Sequence, residues 1–184
     1  LMQSQMKDRT TPLFIASLLT ICLFLQSCSE PADKFFGVAV LNTNTINDFG
    51  TSTLAKHISD ETLEFPDIPS SKKKGDEAVI SVSNNILYME KSLKDIKALS
   101  ASDDSRKEIK EKAIALYEFA IPVYKNEYTA YARLCDSKAP QAQKDEILNT
   151  IEQKYSAEFE SRYAELLAKG KVFADENNIP VDWK

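Results

Sequence analysis

Apolar side chains recur at helical spacing along three stretches of this chain, and no stretch of any length keeps the two-residue alternation of a strand. In the first, Val79, Val82, Ile86, Met89, Leu93 and Ile96 follow one another at steps of three, four, three, four and three, with Leu87 and Leu99 beside the seam. Such a heptad pattern buries one stripe of a helix against its neighbours and leaves the rest to water. Asp76 and Glu77 at its start and Lys91, Lys94 and Lys97 toward its end suit the helix dipole. Ser100 to Asp104 then supplies polar, cap-forming residues. In the second stretch, Ser105 to Cys135, the residues Ala113, Tyr117, Ala120, Tyr124, Tyr128, Tyr131, Leu134 and Cys135 share about a third of the helix circumference. Pro122 interrupts it and predicts a kink, because proline removes a backbone donor and clashes with the preceding turn. The third, Gln141 to Asn177, carries Ile147, Ile151, Tyr155, Phe159, Tyr163, Leu166, Gly170 and Phe173 on one face. Asn177-Asn178-Ile179-Pro180 ends it.

The region before these stretches is less regular. Phe35, Val38, Ile46 and Phe49 keep a rough helical spacing, but Asn42-Thr43-Asn44-Thr45, Gly37, Gly50 and Thr51-Ser52-Thr53 are poor helix formers. The expectation is a weaker helix from Phe35 to about Ile58, frayed after Phe49. Pro66 and Pro69 make 59–71 a loop. Asp136 to Ala139 reads as a tight connection, with Pro140 in the first turn of the next helix. Short connections make neighbouring helices antiparallel. The predicted fold is therefore all-α: an elongated antiparallel up-and-down bundle over 35–184, with three long helices and one weaker N-terminal helix. At ~1.5 Å per residue the last two helices reach roughly 45 and 55 Å. Trp183, in the short tail after Pro180, is expected to fold back on the bundle.

Residues 6 to 28 have a different character. Lys7 and Arg9 precede an uncharged apolar run from Leu13 to Leu25, and Leu25-Gln26-Ser27-Cys28 follows, then polar Ser29-Glu30-Pro31. A run this short with these flanks reads as a processed leader rather than a spanning helix. Its ending resembles the lipobox of bacterial lipoproteins. The resemblance implies removal of 1–27, lipidation at Cys28, and a short tether over 28–34. It also implies a membrane partner through that anchor, because several acyl chains on one residue hold firmly where a single chain is marginal. An ordinary secretory leader that leaves Cys28 a free thiol is the alternative. Ser29, directly after the cysteine, resembles the outer-membrane sorting residue of enteric bacteria. The implied address is the cell envelope, at the outer membrane on its periplasmic face or the cell surface.

Charge narrows the partners. The chain has a net charge of −5, and loss of the leader with Lys7, Asp8 and Arg9 takes it one unit further negative. Lys72-Lys73-Lys74 is the longest basic run and no basic stripe forms, so nucleic acid is not expected as a partner. Of three cysteines, Cys22 lies in the leader and Cys28 is the lipidation site. Cys135 alone remains, on an apolar helix face, so no internal disulfide is expected and the core must hold the domain.

Few residues offer chemistry. The single histidine, His57, has no glutamate three residues before it, so a di-iron bundle site is not expected, and ligands for zinc or covalent haem are also missing. Neither a metal nor a cofactor is expected. Ser71 to Lys74 matches Ser-x-x-Lys, but on the edge of a proline-rich loop without supporting motifs. Four glycines, none clustered, make no phosphate loop. The carboxylate pairs Glu118 with Glu127 and Glu158 with Glu165 read as solvated helix faces. The expectation is that the protein is not an enzyme. Tyr117, Tyr124, Tyr128 and Tyr131, joined by Tyr155 and Tyr163 from the next helix, form the one unusual feature. They are either packed core with hydroxyls at the rim or an aromatic groove for a ligand.

The layout over 1–184, and especially the part from Ile80 to the end, resembles uncharacterised helical surface lipoproteins of Gram-negative bacteria. The shared features are the lysine-rich segment from Lys91 to Lys97, Leu116-Tyr117-Glu118-Phe119, Glu127-Tyr128 and the Asn-Ile-Pro stop. No activity comes with that resemblance. The expected function is a lipid-anchored envelope module for binding, scaffolding or structure, with an envelope protein as candidate partner. A small-ligand carrier with a tyrosine-lined pocket is the alternative.

Overall fold

A computed structural model describes residues 30–183. The leader, Cys22, Cys28 and Lys184 lie outside the described residues. Within them the chain is an all-α bundle: α1 (Ala32–Ala39), α2 (Ser52–Asp60), α3 (Glu77–Ala98), α4 (Asp104–Val123), α5 (Thr129–Asp136), α6 (Gln141–Ile151) and α7 (Ala157–Glu176). The second and third predicted helices are each interrupted by a π-turn. Tyr124–Tyr128 joins α4 to α5 and Glu152–Ser156 joins α6 to α7, with the backbone in the right-handed helical region throughout. Pro122, where the kink is expected, lies inside α4 two residues before the first of these. The Thr129 hydroxyl donates to the Tyr124 carbonyl (2.9 Å) inside the widened turn.

Cross-helix pairs give the directions. Lys97 meets Glu118 at 2.6 Å and Lys125 meets Glu90 at 2.5 Å, so α3 runs antiparallel to the α4–α5 arm. Lys112 meets Glu165 (2.8 Å) and Lys169 meets Glu108 (3.0 Å), so α7 runs antiparallel to α4. On α3 the buried stripe is Ala78, Val82, Met89, Ser92, Ile96 and Leu99, while Val79, Ile86 and Leu93 flank it half-buried and Leu87 is 63 % exposed.

The helix ends are closed by chemistry that sequence spacing misses. Asp76, placed to cap α3, makes no side-chain cap bond. Instead Asp136, from the end of α5, accepts from the amides of both Ala78 and Val79 at 3.0 Å. Glu77 folds back to accept from the amides of Lys74, Gly75 and Asp76, and these bonds hold its carboxyl down at about 2. α5 and α7 each end with a residue of positive φ, Lys138 and Asn178, followed by a bond that spans the last turn: Ala139 to Leu134 and Ile179 to Ala174, both 2.9 Å. Pro140 sits at the N-cap of α6, one position before the first turn. Because Asp136 serves two α3 donors across the bundle, Asp136→Ala should cost about 1–2 kcal/mol, as for other lost caps. Urea unfolding checks this; a change within a few tenths would show that solvent replaces the cap.

The weaker N-terminal helix is where the prediction departs most. It is three pieces rather than one frayed helix: α1, a 3₁₀ segment Leu41–Ile46, and α2, with α1 starting at Ala32. Gly50, at φ +76°, turns the chain between the 3₁₀ segment and α2, which Thr51 caps by accepting from the Leu54 amide at 3.3 Å. Together 32–60 form a strap that occupies the fourth position of the bundle. Along it, Phe35 meets Phe173, Val40 meets Gly170, Asn44 meets Tyr163 and Phe49 meets Phe159, so it descends α7 in the opposite sense. A Cβ on Gly170 would lie 2.8 Å from a Val40 methyl, so the close approach of α1 to α7 requires glycine there. Trp183 does fold back, its ring edge-on to Phe36 at 6.0 Å.

Candidate functional site: the tyrosine stripe and the strap across it

Of the six tyrosines of the candidate stripe, Tyr117, Tyr124, Tyr128 and Tyr131 are buried and Tyr155 and Tyr163 are half-buried. Ala113 and Ala120 on the same face are fully buried, as a filled core requires. The partner of the stripe, however, is not α7 alone. Phe49 of the strap lies between the two arms, stacked on Phe159 at 4.3 Å. It also contacts Tyr124 (6.1 Å), Tyr128 (5.8 Å) and Phe119 (6.3 Å). A hairpin of the last two predicted helices alone would set Phe159 against Tyr117 and Tyr155 against Tyr124. Phe159 instead stacks on Phe49, and Tyr155 packs edge-on against Phe119 and donates to Glu127 (2.9 Å).

Four hydroxyls are committed to the strap. Tyr117 donates to the Asn42 carbonyl (3.1 Å), Tyr131 to the Ala55 carbonyl (3.2 Å) and Tyr163 to Asn44 Oδ1 (3.0 Å). Tyr128 accepts from the Gly50 amide at 2.8 Å. A segment without regular α-helical bonds leaves main-chain groups that must be satisfied elsewhere, and Tyr117 and Tyr128 do this at Asn42 and Gly50. Both π-turns face the Gly50 turn. Tyr128 belongs to the first, and Ser156 of the second comes so close that a Cβ on Gly50 would lie 2.3 Å from its Oγ. The widened turns make room for the strap where it bends. Burial pushes the phenols of Tyr124, Tyr128 and Tyr131 far above the ordinary tyrosine value, with Asp48 adding repulsion at Tyr124 and Tyr128. The Asp48 carboxyl is itself raised by burial.

The other candidates stay apart. His57 is exposed, its Nδ1 4.0 Å from Asp48. The Ser71 hydroxyl is used inside its loop, donating to the carbonyls of Ile68 (2.7 Å) and Phe65 (3.0 Å) and accepting from the Phe65 amide. The carboxylates read as pairs each have separate partners: Glu118 with Lys97, Glu127 with Tyr155, Glu158 with Arg162 and Glu165 with Lys112. Cys135 is buried, and burial raises its thiol. Among the described residues no three His, Cys, Asp or Glu side chains group as a metal site. No helix among them is long and apolar enough to cross a membrane.

Arg106 is the residue that spacing could have flagged. It falls in step with Ile109, Ala113, Leu116 and Ala120 on the buried face of α4, and it is itself buried. Its guanidinium lies over Phe35 (5.2 Å) and Phe173 (5.6 Å), pairs with Asp103 (3.3 Å) and donates to the Glu30 carbonyl. A cation at an apolar position marks where the N-terminal segment is fastened. Comparison with protein-family models, curated proteins and solved structures returns no match.

Proposed function

We propose that the chain is a lipid-anchored cell-envelope protein that acts as a binding, scaffold or structural module, without enzymatic activity, held to the outer membrane through Cys28. The observation that carries this reading is the uncharged run ending in Leu25-Gln26-Ser27-Cys28. The fastening just beyond it supports the same reading. Arg106 binds the Glu30 carbonyl and α1 begins at Ala32, so an acylated Cys28 would hold the bundle at that end with almost no free tether. The opposite end carries the loop before α3, where Leu63, Phe65 and Ile68 are each about half exposed and set the apolar surface available to an envelope partner. Helices of this length would carry that loop roughly 50 Å from the anchored end.

Occupation of the tyrosine stripe by the chain's own strap favours a scaffold over a carrier that uses those rings. The test is metabolic labelling with a fatty acid, together with detergent partitioning. Wild-type protein should label and partition with detergent, and Cys28→Ser should lose both. Unlabelled wild-type protein found wholly in the soluble fraction would refute the anchor.

A further inference from the structure

Every residue from Leu63 to Ser70 is exposed, and Leu63, Phe65 and Ile68 are among them. The loop that carries them is closed on itself. The Ser71 hydroxyl donates to the carbonyls of Phe65 and Ile68 and accepts from the Phe65 amide. Glu64 accepts from the Lys73 amide (2.8 Å) and meets Lys138, just past α5, at 3.4 Å. Pro66 and Pro69 fix two more backbone angles between these ties. A backbone held at these points keeps the three apolar side chains facing water.

Lys72, Lys73 and Lys74 follow directly, with Lys72 and Lys74 exposed and Lys73 half-buried. Three half-exposed side chains are too few for a stable protein interface, which takes roughly 800 Å² from each partner. They suffice at a lipid interface, where an apolar tip enters the acyl boundary and ammonium groups behind it meet the phosphates. The acidic groups nearby are not equivalent. Glu64 is paired with Lys138, whereas Glu61 and Asp67 are exposed and oppose an anionic surface. The chain as a whole carries −5, and this is its longest basic run, so it is where such a surface would draw the protein in.

We propose that this loop is a lipid-insertion tip: Leu63, Phe65 and Ile68 enter a phospholipid surface, and Lys72, Lys73 and Lys74 bind its phosphates. The assignment names the partner of the loop at the far end of the bundle, and rests on the anchored-module reading for that loop being a docking surface. It does not require acylation of Cys28. With Cys28 acylated as well, the bundle would join two lipid surfaces about 50 Å apart.

The test reads position 65 itself. Full-length protein carrying Phe65→Trp and Trp183→Phe keeps a single indole and is reconstituted with phosphatidylcholine. Vesicles of phosphatidylcholine and phosphatidylglycerol with brominated acyl chains are then added. The emission should be quenched saturably, with half-saturation on the order of 1 mM lipid. Ile68→Ser should raise that concentration about threefold or more. Joint replacement of Lys72, Lys73 and Lys74 by Gln should raise it about tenfold or more, and Asp67→Asn should lower it. The urea midpoint should stay unchanged in all of them, since the replaced side chains lie at the surface. Fatty-acid labelling of Cys28 is followed on the same proteins, so failure of the anchor and failure of the tip are read separately. Emission that the brominated vesicles leave unchanged, or quenching indifferent to both Ile68→Ser and the lysine replacement, would overturn the assignment. A photo-cross-link from position 65 to an envelope protein instead of lipid would overturn it in favour of a protein partner.

Discussion

Phe49→Ala should destabilise the protein by about 3–5 kcal/mol, the range for large aromatic truncations in a core. Phe49 is 2 % exposed and is the only strap ring seen between the two arms of the bundle at the tyrosine stripe. Its removal leaves Phe159 without its stacked partner and strips one face from Tyr124 and Tyr128. The walls cannot collapse freely, because the tyrosine hydroxyls hold the strap at Asn42, Gly50 and Ala55 on either side of the gap. Equilibrium denaturation in urea gives the value. A loss below about 1 kcal/mol would mean that the strap is a surface appendage rather than a wall of the core.

Stability should also fall steeply above about pH 10, the ordinary tyrosine pKa. The phenols of Tyr124, Tyr128 and Tyr131 are raised in the folded protein, chiefly by burial. A raised folded pKa means that their contribution is fully present below the unfolded value and is lost as pH climbs toward the folded one. Within that window the unfolded chain releases protons that the folded chain retains. Each such tyrosine then costs ~1.4 kcal/mol per pH unit, and the three together roughly 4 kcal/mol by about pH 11. Denaturant titrations at stepped alkaline pH measure the slope, and Tyr128→Phe should make it shallower by about 1.4 kcal/mol per pH unit. A stability flat through that window would contradict the burial of these hydroxyls.

How far the sequence led differs from element to element, for physical reasons. α3, α4 and α7 were legible because a buried helical face must repeat every three or four residues, and Val82, Met89, Ile96, Ala113, Tyr117, Leu166 and Phe173 do so. The π-turns were not, since one extra residue in a turn leaves no compositional mark. Tyr124–Tyr128 and Glu152–Ser156 read like the helix around them. The strap was half legible. Phe35, Ile46 and Phe49 announce burial, but a 3₁₀ segment and a left-handed turn have no period to extrapolate. Burial of the tyrosines followed from their spacing. Their hydroxyl partners did not, because Asn42, Gly50 and Ala55 are more than 70 residues away in sequence. Arg106 and Asp136 were hidden by their charge, which suggests solvent when each residue is read in isolation. Both instead satisfy backbone groups of a different element.

The strap as an integral wall of the bundle, pinned by tyrosine hydroxyls, is tested most directly by native-state hydrogen exchange at the Gly50 amide, which donates to Tyr128. The expected result is exchange only through global unfolding, with an opening free energy equal to that of the Leu116 and Leu166 amides in α4 and α7. Fast exchange at Gly50 while Leu116 and Leu166 stay protected would show that the strap opens on its own, and would contradict its place in the core.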